Sequence, residues 1–249
     1  LITLNHLVRV CRNVSSKYTR SKVRKALPKE FSYIIQELLH ESSDEPNKSA
    51  YVDQIINTII STGRANDFII AMCNLIQRLT IDLLHIIGDI YDRGPGAHII
   101  MDTLCNYHNF DIQWGNHDVV WMGAAAGSPL CIMTVLKTTL AYNNLDTLEG
   151  GYGISLRRLE RFAQHTYADS DVSRWLPHAD QRTAAGDLTA AARMHKAVTV
   201  MMLKLEAQVI ARNPDFDLQG RDFLNHIDFA AGTVDYFGTT YPLLDCDFP

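Results

Sequence analysis

The chain has 249 residues, 47% apolar and 20% charged, which is enough for one large domain or two small ones with a sizeable core. Its formal net charge of −5 argues against a nucleic-acid partner, because phosphate binding wants a basic face. The five cysteines (Cys11, Cys73, Cys105, Cys131, Cys246) are odd in number, widely spread and form no C-x-x-C pair. They read as reduced thiols of a cytoplasmic protein, buried as small apolar side chains, and they exclude a disulfide framework or a zinc cluster.

The opening LITLNHLVRVCRNV alternates apolar residues with His and Arg, unlike a secretory signal. The first eighty residues read as helical. From Tyr51 to Thr80, apolar residues recur at three-and-four spacing, and Gly63 breaks the stretch into two helices. HESSDEPNKS (His40 to Ser49) reads as a polar linker or surface loop. The basic run Lys17 to Lys25 fits a solvated helix face better than an anion contact.

The pattern changes at Ile81. Asp82 to Ile87 is a short apolar run ended by Gly88, as expected of a buried strand. Ala97 to Tyr107 is helical, and Phe110 to Trp114 is a second strand ended by Gly115. That order is a βαβ unit, so a parallel pair with both loops at one sheet edge is expected. Val119 to Leu136 holds 18 residues without a charge, but Gly123, Gly127, Ser128 and Pro129 interrupt it. It reads as two short buried helices joined by a turn, not a membrane span.

Further on, Thr166 to Gly186 reads as polar and exposed. Asp187 to Arg212 reads as one long amphipathic helix stopped at Asn213-Pro214, and Ile227 to Phe237 as a hairpin.

Two segments carry chemistry: Gly88-Asp89-Ile90-Tyr91-Asp92-Arg93-Gly94 and Gly115-Asn116-His117-Asp118. Each follows a strand, and Asp89 and Asn116 lie 27 residues apart. The Asp89 carboxylate offers two hard oxygens that can bridge a pair of divalent cations ~3.5–4 Å apart. The Asn116 carbonyl is a neutral ligand for one of them. Arg93 presents a planar fork matched to phosphate oxygens. His117 can protonate a leaving alkoxide while Asp92 holds its imidazole. Alone, the first block could be a turn with a surface ion pair, and the second a helix start capped by Asn. Their joint occurrence, each after an apolar strand, is the specific signal.

G-D-x-x-D-R followed by G-N-H-[DE] resembles the calcineurin-like metallophosphatase superfamily. HIIGDIYDRGPGAHIIMDTL (85–104), QWGNHDVVWMGAAAGSPLCI (113–132), YNNLDTLEGGYGI (142–154), MHKAVT (194–199) and TYPLLD (240–245) are similar to class III fructose-1,6-bisphosphatases. The resemblance implies an α/β fold, part of a calcineurin-like sandwich with a βαβ core and large helical insertions. Residues 1–80 would be one insertion, 81–139 the core segment, and 140–249 a second insertion followed by a hairpin. It also implies hydrolysis of fructose 1,6-bisphosphate in gluconeogenesis, with two Mn²⁺ ions as cofactor, a small sugar bisphosphate as substrate, no nucleic-acid or membrane partner, and homo-oligomerisation left open. Carried over by motif, Asp89 and Asn116 would ligate metal, His117 would be the general acid, Asp92 its partner and Arg93 the phosphate clamp.

The sequence departs from the superfamily pattern in its ligand count. No D-x-H block precedes Gly88, and no H-G or G-H-x-H pair follows residue 118. The expectation is therefore a fragment of a longer protein, with the remaining ligands outside it. His195, on the apolar long helix, reads as a core or subunit-contact histidine. Two alternatives stand beside the sugar phosphatase. One is a phosphoprotein phosphatase, weakened because Gln113 and Trp114, not Arg, precede Gly115. The other is a non-catalytic binding module.

Overall fold

The computed structural model describes residues 1–40, 46–178 and 185–247. They form two compact units: 1–85 with 108–111, and 86–107 with 112–247.

The first unit is a helical cluster. Its helices are α1 (Ile2–Ser15), α2 (Arg20–Ala26), α3 (Ser32–His40), α4 (Pro46–Ser61) and α5 (Ala65–Thr80). The three-and-four spacing puts Leu4, Val8 and Cys11 of α1 with Phe68, Met72, Leu75 and Leu79 of α5 in one fully apolar core. Each fully buried Leu, Phe or Met there contributes about 1.5–3 kcal/mol. Phe31 meets Phe68 edge-on at 5.3 Å. Gly63, at φ +74°, makes the break between α4 and α5 that the sequence predicts. The polar linker is shorter than expected: residues 41–45 lie outside the described residues, but α4 already begins at Pro46, a residue pre-set for the first helical turn. The basic run forms α2, capped by the Thr19 hydroxyl accepting from Lys22 N. Its Lys22 pairs with Asp82 at 3.1 Å, and the hydrogen bond from Lys22, then its charge, holds that exposed carboxyl below its ordinary range.

Strands β1 (Leu84–Ile86) and β2 (Phe110–Ile112) pair, with α6 (Ala97–Cys105) between them in sequence. Leu84 N donates to Asn109 O and Gln113 N to Ile86 O, which is the parallel sense. Both strands are three residues long, shorter than the apolar runs that suggest them.

In the second unit, α7 (Asn116–Ala125) and α8 (Pro129–Ala141) are the two short helices expected across the uncharged stretch. Gly127 at φ +87° and Pro129 at the start of α8 make the turn. Burial does not explain why this stretch lacks charge, since Ala125, Ala126 and Gly127 are exposed. Close approach accounts for one of its small residues: a Cβ on Gly123 would sit 2.6 Å from the Cys131 sulfur of α8. A single π-turn, Thr147–Gly151, leads to α9 (Arg157–Thr166). No helix among the described residues is long and apolar enough to cross a membrane.

The long helix α10 (Ala185–Arg212) corrects the amphipathic reading. From Ala191 to Val200 it is buried on almost every side, including Lys196 and Thr199. Lys196, 1% exposed, lies 3.0 Å from Asp245 and 3.2 Å from Asp247 of the segment 243–247, and faces the Tyr167 ring. Trp175 Nε1 donates to Asp245 at 2.8 Å. Hence residues 166–178 are not simply exposed, because Tyr167 and Val172 are buried; residues 179–184 lie outside the described residues. Burial raises the Asp245 carboxyl, but hydrogen bonds from Trp175, Asp247 N and Lys196 outweigh it and leave the group below its ordinary value of 3.8. Asp247 is lowered by Ser170 and Lys196. Both folded values are depressed, so their stabilisation is complete above the ordinary carboxylate range and is lost as pH falls through and below 3.8. Acidification below about pH 4 should release Asp245 and Asp247 from α10, seen as a change in Trp175 fluorescence. Lys196→Met should abolish that step; an unchanged acid transition would remove the clamp.

The hairpin carries a third strand that the sequence reading omits. β3 (Ile227–Asp228) pairs antiparallel with β4 (Thr233–Tyr236), and β4 with β5 (Thr239–Pro242). Phe237 and Gly238, at φ +49° and +77°, form the two-residue turn. All five cysteines are free, but only Cys11 is buried, its thiol pushed up to about 11 by burial; Cys73, Cys105 and Cys246 are exposed.

Candidate active site

The site lies wholly in the second unit, where β1 and β2 end. Gly88 leaves β1 at φ +95°, a conformation open to glycine, and a Cβ there would meet Gly115 N at 2.5 Å. A Cβ on Gly115 would meet the Asp89 carboxylate at 2.0 Å. The two glycines therefore let the loops touch backbone to backbone. Asp89 itself sits at φ +54°, uncommon for a residue with a side chain.

Asp118 straps the loops together. It is 6% exposed, and its Oδ2 accepts from Asp89 N at 2.6 Å and Gly115 N at 3.0 Å, while Oδ1 accepts from Tyr91 N at 3.2 Å. In return, Asp89 Oδ1 accepts from His117 N at 3.2 Å. Asn116 is the first residue of α7, with Gly115 as the N-cap, so it is not the capping residue and stays exposed.

His117 Nε2 lies 3.0 Å from Asp92 Oδ1, and Arg93 Nε lies 3.3 Å from the same oxygen. That oxygen is buried, and neither N–H is aligned well enough with it to make a hydrogen bond. The Arg93 guanidinium stands over the Tyr142 ring at 5.2 Å. Asn144 Nδ2 donates to Gly94 O at 2.8 Å, and Thr147 Oγ1 to Asn144 Oδ1 at 2.9 Å, which fixes the far end of the loop. A cavity of about 120 Å³ opens beside Asp92, Asn116 and His117, lined on its other side by Thr138, Thr139 and Thr147.

Behind the loops the Tyr91 ring stacks on Trp121 at 4.4 Å, and its hydroxyl is 2.6 Å from that of Tyr152. Burial, then the neighbouring Tyr152 hydroxyl, pushes the Tyr91 phenol well above its ordinary value of 10. These rings front an apolar cavity of about 690 Å³ that also includes Ile112, Trp114, Leu148 and Ile154.

All five residues singled out by the sequence thus fall on two touching loops. The sequence reading did not assign roles to Asp118, Tyr91 or Asn144. Only Asp118 had a local signal, as the acidic residue three positions into a helix. His195 is half-buried, its Nδ1 3.0 Å from Trp175 O and its ring edge-on to Trp175 at 5.5 Å; burial lowers its pKa. Its hydrogen bond and ring contact are to Trp175 and not to the two loops.

The Asp89 carboxylate and Asn116 carbonyl form an all-oxygen donor pair on exposed side chains, which suits a hard divalent cation. Among the described residues no group of three or more His, Cys, Asp or Glu side chains converges as a metal site.

A parallel strand pair whose two glycine-bounded loops bring together carboxylates, an imidazole and a guanidinium defines an α/β protein with a polar site at the strand ends. The chain belongs to the Firmicute fructose-1,6-bisphosphatase family, whose model matches residues 1–249. It is 63% identical over 251 residues to a protein of Parabacteroides distasonis named fructose-1,6-bisphosphatase class 3, and 63% identical over 252 residues to one of Bacteroides fragilis with the same name. A Clostridium beijerinckii protein named fructose-1,6-bisphosphatase class 3 1 is 54% identical over 250 residues. In each case the match covers 100% of this chain, which spans 38% of the relative's length. No solved structure matches.

Proposed function

We propose that the polypeptide containing this chain hydrolyses fructose 1,6-bisphosphate to fructose 6-phosphate and phosphate, a gluconeogenic reaction of the cytoplasm. The observation that carries this is the family match across residues 1–249 together with the contact of the Asp89 and Asn116 loops.

Asp89 and Asn116 would hold the metal, with Mn²⁺ the expected ion and further ligands supplied by parts of the polypeptide beyond these 249 residues. The chemistry a bound metal pair supplies is polarisation of the phosphoryl group and a water of lowered pKa. Asp92 stands 3.0 Å from His117 Nε2 as its charge partner, and the His117 imidazole would protonate the departing sugar alkoxide. Arg93, 3.3 Å from Asp92 and standing over the Tyr142 ring, would offer its guanidinium to the phosphate oxygens. The helical residues 1–80 and the helices after residue 140 would be insertions in the sequence of this core segment, which would belong to a calcineurin-like sandwich.

Phosphate release from fructose 1,6-bisphosphate by the full-length protein, with Mn²⁺ and then with chelator, tests the reading. Mn²⁺-dependent turnover is expected. No turnover on the sugar, with turnover on a phosphopeptide, would overturn it. Asp89→Asn should weaken Mn²⁺ binding in calorimetry by at least the ~10–100-fold that supporting residues alone cost, and lower the rate with it. Retained stoichiometry at full rate would remove Asp89 as a ligand.

A further inference from the structure

We propose that Asp118 is a positioning residue of this site: its buried carboxylate sets the Asp89 loop against the Asn116–His117 loop, and so aims the oxygens of Asp89 and Asn116. The inference rests on the reading that those two residues hold metal.

An acidic residue at this helical position ordinarily reaches back to the N-cap amide alone, as Asp118 does to Gly115 N. Its two other hydrogen bonds go to the amides of Asp89 and Tyr91, 29 and 27 positions away on the other loop. One of those amides belongs to Asp89 itself, held at positive φ, and the other lies two residues on; a side-chain-bearing residue in that conformation is strained and persists only if its surroundings over-determine it. Two charge-assisted bonds to one carboxylate do so. The strap is mutual, since Asp89 accepts from His117 N one residue before Asp118. No flexible side chain intervenes: all three donors are backbone N–H groups, so the carboxylate fixes main-chain position directly. Tyr91 is pinned from its other end by Trp121 and Tyr152, so the bond to its amide closes the loop on both sides.

The chemistry makes an isosteric test informative. In Asp118→Asn one of the two oxygens becomes an NH₂ group. Placed at Oδ1 it loses Tyr91; placed at Oδ2 it faces the Asp89 and Gly115 donors and loses both.

The full-length protein should be compared with Asp118→Asn and Asp118→Glu. In the metal-free Asn variant, hydrogen exchange read by mass spectrometry should accelerate in peptides containing Asp89, Tyr91 and Gly115 while α8 and α10 stay protected. Mn²⁺ affinity should fall about 10–100-fold. The kcat for phosphate release should fall with it, the KM for sugar bisphosphate should hold, and excess Mn²⁺ should restore part of the rate. A merely structural carboxylate would lower the thermal midpoint and loosen α7 and α8 together, with no rescue by Mn²⁺. That outcome, or unchanged exchange and affinity, overturns the proposal. If Asp118→Asn does not fold, Asp118→Glu, which keeps the charge and is the other residue of the G-N-H-[DE] pattern, serves instead: faster exchange at the Asp89 and Tyr91 amides with unaltered Mn²⁺ affinity overturns the proposal equally. A wild type that binds Mn²⁺ but spares fructose 1,6-bisphosphate would defeat the substrate reading, and the loss of Mn²⁺ affinity in Asp118→Asn would still uphold the positioning role.

Discussion

His117→Ala in the full-length protein should lower kcat on fructose 1,6-bisphosphate by about 10²–10⁴, the usual worth of a positioned general acid. The imidazole is half-buried, with Nε2 3.0 Å from Asp92 Oδ1, close enough for the carboxylate to act as its charge partner. A sugar alkoxide is a poor leaving group and needs a proton as the P–O bond breaks. A phenolate leaving group does not. The loss should therefore shrink when p-nitrophenyl phosphate replaces the sugar ester, while Mn²⁺ affinity stays near that of wild type, because the side chain is not among the expected ligands. An equal loss on both substrates would move His117 from proton donor to phosphate binder. Asp92→Asn should follow the same pattern more weakly, since it removes the charge that orients the ring and leaves the ring in place.

Much of this site was legible in the sequence because its signals are local. An apolar run ended by Gly88, another ended by Gly115, and a helix-length segment between them are enough to specify a parallel pair with adjacent loops. Gly63, Gly127 and Pro129 marked their turns by the same kind of short-range chemistry. What stayed hidden depends on partners distant in sequence. Lys196 reads as the polar face of an amphipathic helix until Asp245 and Asp247, 49 and 51 residues later, bury it. Asp118 reads as half of a capping box until the amides of residues 89 and 91 arrive. β5 was missed for a different reason. Thr239–Pro242 is exposed along its length, so it has no apolar alternation to find, and its pairing is set by the Phe237-Gly238 turn.

Gly115→Ala is the sharpest steric test of the loop contact. At φ −77° and ψ 172° the backbone of residue 115 suits any amino acid, so the substitution carries no conformational strain of its own. Its cost is purely one of space. The new methyl would lie 2.0 Å from Asp89 Oδ1, 2.3 Å from its Cγ and 2.7 Å from its backbone N, well inside van der Waals contact. Rotating the Asp89 side chain away cannot relieve the clash with the backbone nitrogen. The loop must move, and Asp89 N is one of the donors to Asp118. A displacement of about 1 Å at a ligand is enough to cost on the order of 10²-fold in rate. The expected result is that loss in Mn²⁺-dependent phosphate release, with weakened Mn²⁺ binding and a fold otherwise intact by circular dichroism. Gly88→Ala should be at least as severe, because there the positive φ adds strain to the clash. An active Gly115→Ala protein with normal Mn²⁺ affinity would mean that the two loops stand further apart in the working enzyme than they do in this chain, and that Asp89 is aimed by something other than their contact.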